Sequence, residues 1–303
     1  MTAESALVTG ASGFLGGHLV RALRADGVPV HAVSRSGRDS DDPGLLWWKV
    51  DLADAAAVRA MVGEIRPGRI FHLASLVSGR RDLDLVLPAF QDNLASTVHL
   101  LAAAAETGDC RRIVLAGSME EPDLANGEAP SSPYAVAKGA ATLYARFFHA
   151  LYRLPVVQAR IFMVYGPGQI DRRKVVPYSI LRALAGESPE LSSGVRPVDW
   201  IYVEDVVEGL LALSEAPGVE GEVLDLGSGE LVTVRDLVER VCRLLDAPAP
   251  RLGAVPDRPL EATRRADVAR TEARIGWRAM TDLATGLART IDSLRPEPPG
   301  PAA

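Results

Sequence analysis

Residues 6–16 read ALVTGASGFLG, and this stretch decides the fold class. It opens with a short apolar run of the kind that forms a buried strand, and residues 14–25 then carry apolar side chains at helical spacing. Between the two, Gly10 permits a tight turn, Gly13 lets a ligand approach the backbone, and Gly16 lets the helix pack close to the sheet. A strand, a glycine-rich turn and a helix start in this order predict a loop that binds the phosphates of a dinucleotide.

The pattern around this loop repeats through the first half of the chain. Strands are predicted at residues 6–9, 28–33, 45–50, 70–74, 112–116 and 156–161, and helices at 14–25, 53–65, 94–105 and 134–152. Such alternation implies right-handed crossovers and therefore an α/β fold, a Rossmann-type doubly wound parallel sheet with helices on both faces. After residues 166–168 the pattern is less regular, with helices predicted at 204–214 and 234–245.

Composition and charge argue against several classes of partner. The 303 residues include 33 Lys and Arg against 39 Asp and Glu, a net charge of −6, which disfavours nucleic acid and anionic membranes. Cys110 and Cys242 are far apart in sequence, so we expect no disulfide framework, no metal site and a cytoplasmic location. No signal peptide is recognised, and no window of about 18 apolar residues is free of charge, so no membrane span is predicted.

The residues after the second and third strands bear on the choice of cofactor. An acidic side chain after the second strand would accept a hydrogen bond from the ribose of NAD, but the chain has Ser34 and Arg35 there, with Arg38 close by. A hydroxyl and a guanidinium suit the extra phosphate of NADP. We therefore predict NADP, with NAD as the alternative. Asp51, after the third strand, is a candidate acceptor for the adenine amino group or, alternatively, the N-cap of the helix at 53–65.

A Tyr-x-x-x-Lys pattern begins the helix that follows the fifth strand. Tyr134 and Lys138 are four residues apart and so share one helix face. A free tyrosine has a pKa near 10, and the positive charges of Lys138 and of a nicotinamide would lower it toward neutrality, which makes Tyr134 a candidate acid/base. Ser118 ends the preceding strand, at the sheet edge where ligands of such folds bind. We therefore expect it to hydrogen-bond the same substrate oxygen.

These segments together carry a family resemblance. They are GASGFLG at 10–16, Asp51-Leu52, His72-Leu73-Ala74, Asn93, Ser118, YAVAK at 134–138, YGPG at 165–168 and DWIYVED at 199–205. From about residue 5 to 293, the chain resembles the extended short-chain dehydrogenase/reductases and, within them, the NAD(P)-dependent epimerase/dehydratase group that acts on nucleotide sugars.

The resemblance implies two domains and a homodimer. The expected cofactor domain spans residues 1–165, with 199–228 returning to it. A smaller α/β C-terminal domain, at 166–198 and 229–295, would bind the nucleoside-diphosphate sugar. The tail at 296–303, PEPPGPAA, is predicted to be disordered from its own prolines, which disfavour helix and strand. Dimerisation would use the helices at 94–105 and 134–152, packed as a four-helix bundle.

The resemblance also implies roles for individual residues. Tyr134 would be the acid/base, Lys138 would bind the nicotinamide ribose and tune Tyr134, Ser118 would orient the sugar, and Asn93 would support the active-site helix. The predicted cofactor contacts are Gly10, Ser12, Gly13, Phe14, Leu15, Gly16, Ser34, Arg35, Arg38, Asp51, Leu52, Leu73, Ala74, Ser75, Tyr134, Lys138 and Ile161. The predicted substrate contacts are Ser118, Met163, Val176, Arg196 and Arg258, with Arg264 a further candidate for the diphosphate and segments 175–179 and 191–195 facing the nucleotide.

Departures from the family pattern bear on the reaction. The Val-Tyr-Gly usual after the serine region is replaced by residues 121–123, Glu-Pro-Asp. Met163 replaces an Asn common in the family, and Val198 replaces an Arg. The 4,6-dehydratase pattern Thr-Asp-Glu is here Ser118-Met119-Glu120. A methionine cannot act as an acid, whereas Glu120 remains a candidate base.

Four functions remain open on this basis. We favour an NADPH-dependent 4-ketoreductase of a nucleotide-activated deoxyhexose, because NADP suits net reduction. A nucleotide-sugar 4-epimerase is the first alternative, and a dehydratase or decarboxylase that uses Glu120 is the second. A protein that binds NADP as a sensor without catalysis is the fourth, and the complete Ser/Tyr/Lys set argues against it.

Overall fold

The computed structural model describes residues 4–123, 126–261 and 263–295, and a seven-stranded sheet forms its centre. Its strands, in spatial order, are β3 (Leu45–Lys49), β2 (Val30–Ser34), β1 (Ala6–Thr9), β4 (Arg69–His72), β5 (Arg112–Ser118), β6 (Val156–Ile161) and β9 (Val223–Leu226). Every neighbouring pair is parallel. The chain runs outward from β1 through β2 to β3 and then resumes on the other side of β1 with β4. The carboxyl ends of β1 and β4 therefore flank the point at which the strand order reverses, where such sheets bind ligands.

Helices flank this sheet and a second, smaller sheet. Their bounds are α1 (Phe14–Ala25), α2 (Ala55–Ile65), α3 (Val86–Ala89), α4 (Ser96–Thr107), α5 (Pro133–Tyr152), α6 (Val175–Leu184), α7 (Val203–Glu215), α8 (Val234–Leu244), α9 (Val268–Ile275) and α10 (Leu283–Leu294). Apolar side chains of α1 and α7 share one buried cluster, and those of α2, α4 and α5 share another. The predicted doubly wound α/β fold is thus confirmed.

A second, three-stranded sheet lies beyond the carboxyl end of β6. It consists of β10 (Leu231–Thr233), β8 (Pro197–Tyr202) and β7 (Met163–Tyr165), with β8 in the centre, parallel to β7 and antiparallel to β10. Residues of α6, α8 and α10 pack with this sheet in a third apolar cluster. The sequence pattern did not predict these three strands, strand β9 of the central sheet, or helices α6, α9 and α10. The four strands have three to six residues each, too few for a clear alternating pattern.

Two acids of the DWIYVED segment tie distant backbone segments to this region. The buried carboxylate of Asp199 accepts hydrogen bonds of 2.7–3.0 Å from the N–H groups of residues 228–229 and of Ala266. Asp205, also buried, accepts two more, at 3.0 and 3.1 Å, from residues 280–281. Because a buried carboxylate is tolerated only when it is well hydrogen-bonded, both acids have a structural role here.

Helix ends differ from the predicted bounds for local reasons. Helix α2 begins at Ala55, because the side chain of Asp54 caps it by accepting from the N–H groups of residues 56 and 57. Asp51 is therefore not the N-cap. Helix α4 begins at Ser96 and follows one π-helical turn, Phe90–Ala95. The predicted disordered tail, 296–303, lies outside the described residues.

Candidate active site

The glycine-rich loop has the tight geometry that its spacing predicts. Gly10 has φ +68°, and a Cβ there would lie 2.7 Å from the backbone nitrogen of Ala74 on the neighbouring loop. A Cβ at Gly16 would lie 2.1 Å from the Gly10 carbonyl oxygen, so neither position has room for a side chain. Gly13 is the N-cap of α1 and offers no side-chain cap to the first N–H groups of the helix. The first N–H groups of α1 therefore have no side-chain acceptor, as in helix starts that bind phosphate groups.

A cavity of about 280 Å³ opens beside this loop at the point where the strand order reverses. It is lined by Gly10, Ser12, Gly13, Val33, Ser34, Arg35, Val50, Asp51, Leu52, Ala53, Leu73, Ala74, Ser75, Asp92 and Ser96. Ten of these are predicted cofactor contacts. Asp92 and Ser96 are not, because they belong to the π turn and to α4, which the sequence pattern does not connect with the glycine loop.

The remaining predicted cofactor contacts have three different environments. Phe14 and Arg38 line a second hollow, of about 290 Å³, next to the glycine loop. Leu15, Gly16 and Ile161 lie in or against the packed interior. Tyr134 and Lys138 lie at the carboxyl end of β5, as described below.

Ser34 and Arg35 line the cavity beside the glycine loop, at the carboxyl end of β2. The Ser34 hydroxyl is buried and has no hydrogen-bond partner among the described residues. The Arg35 side chain is 76% exposed, and its guanidinium lies 3.6 Å from the carboxylate of Asp92. Arg38 stacks over the Trp47 ring, 5.4 Å from its centre. An unpaired hydroxyl next to an exposed guanidinium can bind a phosphate or a ribose, while Asp92 competes for the guanidinium.

The Ser, Tyr and Lys side chains of the predicted reactive centre meet at the end of β5. Ser132 caps α5 by accepting from the Ala135 N–H at 3.1 Å, so Tyr134 lies in the first turn. The phenol of Tyr134 is hydrogen-bonded with the hydroxyls of Ser118 and Ser75. The Lys138 ammonium lies 6.0 Å from the centre of the Tyr134 ring.

Burial controls the ionisation of this centre. It lowers the pKa of Lys138 to about 8, and the Lys138 ammonium donates a hydrogen bond of 2.8 Å to the Ala116 carbonyl oxygen. Burial also raises the pKa of Tyr134. The carboxylates of Glu120 and Glu121 raise this pKa further, whereas the hydrogen bonds with Ser118 and Ser75 lower it. Desolvation is the largest of these causes, whereas the decrease expected from the sequence depends on the positive charges of Lys138 and of a nicotinamide.

A buried polar network supports the loop that carries Ser75. The side-chain oxygen of Asn93 accepts from the Ser75 hydroxyl at 2.7 Å and from the Leu76 N–H at 2.8 Å. Behind it, His72 bridges Thr9 and Thr97 at 2.8 and 3.0 Å, and burial lowers the His72 pKa to about 3, so the ring is neutral. The family resemblance implies that Asn93 supports the active-site helix. In the structure its side chain fixes the loop of Ser75, whose hydroxyl reaches Tyr134.

Met119 and Glu120 follow Ser118 with different surroundings. Met119 is buried in the apolar cluster of α1 and α7. The Glu120 N–H donates to the Ser118 hydroxyl oxygen at 3.1 Å, and its carboxylate is close enough to act on the Tyr134 pKa. The position held by an acid in 4,6-dehydratases is therefore apolar and directed into the core.

The arginine candidates for the diphosphate are held in different ways. Arg196 lies 3.2 Å from a carboxylate oxygen of Glu261, and Arg264 is hydrogen-bonded to Glu128. Arg258 is exposed. The structure therefore brings two of the three into ion pairs within the chain.

The other substrate candidates are partly or fully packed. Met163 begins β7 and is half-buried, whereas Val176 is buried in the apolar cluster of the second sheet. Ser118 alone of the five predicted substrate contacts lies in the reactive centre.

Comparison with known proteins places these features in a family. Residues 6–227 match the model of the NAD dependent epimerase/dehydratase family. The chain belongs to this family. It is 30% identical to a UDP-glucose 4-epimerase of Mycolicibacterium smegmatis over 95% of this chain and 98% of the relative. It is 28% identical to a dTDP-glucose 4,6-dehydratase of Neisseria gonorrhoeae over 95% and 94% of the two chains.

A solved structure agrees with this membership. MoeE5, in complex with UDP-glucose and NAD, superposes with a TM-score of 0.84 and 31% identity over 95% of this chain and 98% of MoeE5. As an epimerase/dehydratase family member, the chain is an enzyme of nucleotide-sugar chemistry. No helix among its described residues is long and apolar enough to cross a membrane.

Proposed function

We propose that this protein is an NADPH-dependent 4-ketoreductase of a nucleoside-diphosphate deoxyhexose. The observation that carries the proposal is the Ser118–Tyr134–Lys138 centre combined with an apolar, buried Met119. The centre has what hydride transfer to a ketone requires, a proton donor held at the substrate oxygen. It lacks, at Met119, the acid that 4,6-dehydration requires.

The chain's own residues fit a dinucleotide cofactor. Side chains at Gly10 and Gly16 would clash with neighbouring backbone, and the start of α1 has no side-chain cap, so the loop suits a pyrophosphate. The unpaired Ser34 hydroxyl and the exposed Arg35 support a 2′-phosphate, and hence NADP. When bound, the nicotinamide supplies the hydride.

The residues at the reactive centre would divide the remaining work. Ser118 and Tyr134 would bind the ketone oxygen, and Tyr134 would release its phenolic proton to that oxygen as hydride arrives at the carbon. Lys138, held by the Ala116 carbonyl, would keep a positive charge near the phenolate that forms. Because all three side chains are buried, water is excluded and each charge acts more strongly than in solvent.

The substrate class rests on the relatives, and an arginine is the candidate for binding the diphosphate. The relatives named above act on or bind UDP-glucose or dTDP-glucose. Arg258, exposed and free of a described ion pair, is the candidate that we favour for the diphosphate. Residues 1–165 with 199–228 would bind the cofactor, and 166–198 with 229–295 the nucleotide sugar.

A 4-epimerase is the second candidate. The same Ser, Tyr and Lys side chains serve an oxidation followed by a reduction on the other sugar face. Asp92, 3.6 Å from Arg35, favours this alternative because it partly neutralises the guanidinium and so weakens the case for NADP. Dehydration or decarboxylation with Glu120 as base is a weaker third possibility.

A homodimer is the expected assembly. Large apolar side chains on the outer surface of α5 are exposed, namely Val136, Leu143, Tyr144, Phe147 and Leu151, and those before α4 include Leu83, Leu87 and Phe90. These side chains lie on α5 and on the segment 83–90 beside it, whereas the described residues of α4 include no large exposed apolar side chain. The surface supports an interface between two copies through α5 and that segment. We propose a cytoplasmic location as well, since Cys110 and Cys242 are free and buried.

The cofactor balance of the reaction tests the proposal. Purified protein is incubated with a nucleoside-diphosphate 4-keto-6-deoxyhexose and NADPH, and sugar product and NADPH consumed are both measured. We expect one NADPH consumed for each product formed, and faster turnover with NADPH than with NADH. Interconversion of UDP-glucose and UDP-galactose without net cofactor consumption would favour the epimerase instead.

A further inference from the structure

Glu121 is a buried carboxylate directly behind Ser118, at the position where the family usually has the Val of Val-Tyr-Gly. Its side chain is 4% exposed. One carboxylate oxygen accepts a hydrogen bond of 2.7 Å from the Ser118 N–H, the amide of the residue whose hydroxyl contacts Tyr134. None of the roles proposed above uses this carboxylate.

Side chains from two other elements complete its surroundings. From β6, the Gln158 side-chain amide donates to the same Glu121 oxygen at 2.8 Å. From α5, the Thr142 hydroxyl donates to the second oxygen at 2.8 Å and lies 3.1 Å from the Lys138 carbonyl oxygen. The carboxylate thereby connects the strand end that carries Ser118 with the helix that carries Tyr134 and Lys138.

Gly117 shows that this arrangement constrains the chain beside it. A Cβ at Gly117 would lie 2.3 Å from the Gln158 amide nitrogen and 2.6 Å from a Glu121 carboxylate oxygen. No other residue type fits while the carboxylate and the amide keep these places. Gly117 has ordinary backbone angles, so no turn requires a glycine there. The space filled by the Glu121 and Gln158 side chains explains the glycine instead.

We propose that Glu121 is a positioning residue of the reactive centre, which holds the Ser118 amide and so fixes the Ser118 hydroxyl against Tyr134. This inference rests on the proposed role of Tyr134 as acid/base. It also connects the replacement of Val-Tyr-Gly by Glu-Pro-Asp with the geometry of the site.

The charge of Glu121 gives the proposal a spectroscopic test. Charged groups face it from several elements: Lys138 from α5 and Arg160 from β6, with Asp123, Arg146, Asp225, Arg264 and Arg265 around the adjoining cavity. Burial raises the Glu121 pKa, while Lys138 and Arg160 lower it. In turn, the Glu121 carboxylate raises the pKa of both Tyr134 and Lys138.

The experiment compares Glu121→Gln with Glu121→Val. The glutamine can keep its carbonyl on the Ser118 N–H, so we expect kcat within about threefold of the parent. The valine leaves the Ser118 N–H and the Gln158 amide without an acceptor, so we expect kcat to fall about tenfold or more with KM changed by less than about twofold. Thermal unfolding of each variant shows whether it is folded.

Tyr134 ionisation is followed in parallel by NMR of protein with Cζ-labelled tyrosine, saturated with NAD⁺ or NADP⁺. Tyr134→Phe assigns the resonance. In Glu121→Gln the negative charge is gone, so the Tyr134 titration should move to lower pH, by about 0.5–1 unit. Asp205→Asn removes a buried carboxylate elsewhere and should leave that titration in place.

Full turnover in folded Glu121→Val, or a fall in kcat for Glu121→Gln as large as that expected for Glu121→Val, would overturn the inference, because only the glutamine keeps an acceptor on the Ser118 N–H. If Glu121→Val does not fold, kcat of Glu121→Gln decides. If the parent converts no nucleotide sugar, the proposed function fails, and the Tyr134 titrations of the two variants decide the role of Glu121. Only the valine releases Ser118, whose hydrogen bond lowers the Tyr134 pKa, so equal titrations in the two variants would contradict the role.

Discussion

The free energy of unfolding of a Lys138 variant tests the electrostatics of the site. The substitution is Lys138→Met, which keeps the length and apolar stem of the side chain and removes its ammonium. Burial lowers the Lys138 pKa from 10.5 to about 8. Since one pKa unit corresponds to about 1.4 kcal/mol, the charged form costs the folded state about 3 kcal/mol at pH 7. Loss of the hydrogen bond to Ala116 offsets about 1 kcal/mol of this.

The methionine variant should therefore be more stable than the parent by about 2 kcal/mol at pH 7. The unfolded parent binds the Lys138 proton up to higher pH than the folded parent does. The stability of the parent thus rises between pH 8 and 10.5, and the advantage of the variant fades there. Urea unfolding of the parent and the variant at pH 7 and at pH 9.5 measures the difference between their free energies of unfolding. We expect this difference to be near zero at pH 9.5.

Turnover by the same variant should fall, because the positive charge beside Tyr134 is lost. Lys49→Met, at an exposed lysine on β3, controls for the removal of one charge. A variant that is no more stable than the parent at pH 7, or whose gain is the same at both pH values, would refute the assignment of a buried, desolvated ammonium at this site.

Further predictions concern the cofactor, the reaction and the assembly. Arg35→Ala should lower the preference for NADPH over NADH by about tenfold, measured as a ratio of Kd values; an unchanged ratio would contradict the NADP assignment. Glu120→Gln should lower kcat by less than about tenfold, whereas a loss above about a hundredfold, with solvent deuterium in the product, would favour an elimination. Leu143→Glu combined with Phe147→Glu should give monomers in sedimentation experiments, and Leu252→Glu, at an exposed leucine away from α5, should not; dimers in the α5 variant would exclude this interface.

The parts of the site that the sequence predicted are those built from local patterns. The glycine loop, the strand before it and the helix after it are contiguous, and Tyr134 and Lys138 share a helix face by spacing alone. In a doubly wound sheet, Ser118 at a strand end must face the same edge. These relations follow from backbone geometry, so they require no knowledge of side-chain contacts.

Contacts between distant segments could not be predicted in the same way. The pairing of Arg264 with Glu128, and the approach of Asp92 to Arg35, depend on how loops fold back over the sheet. The sequence pattern shows a nearby lysine but not the extent of burial, so it could not predict that desolvation raises the Tyr134 pKa. Asp199 is part of the DWIYVED segment, but the sequence does not indicate that its carboxylate accepts hydrogen bonds from distant backbone N–H groups.

The central claim is that hydride passes from the nicotinamide to a sugar carbon at the Tyr134 centre. Transfer of deuterium tests it directly. NADPH labelled with deuterium at both C4 positions is incubated with a nucleoside-diphosphate 4-keto-6-deoxyhexose, and the sugar product is examined by mass spectrometry and NMR. We predict one deuterium at C4 of every product molecule, and no labelled product from Tyr134→Phe on the same time scale. Product formed without label from the cofactor would contradict the claim.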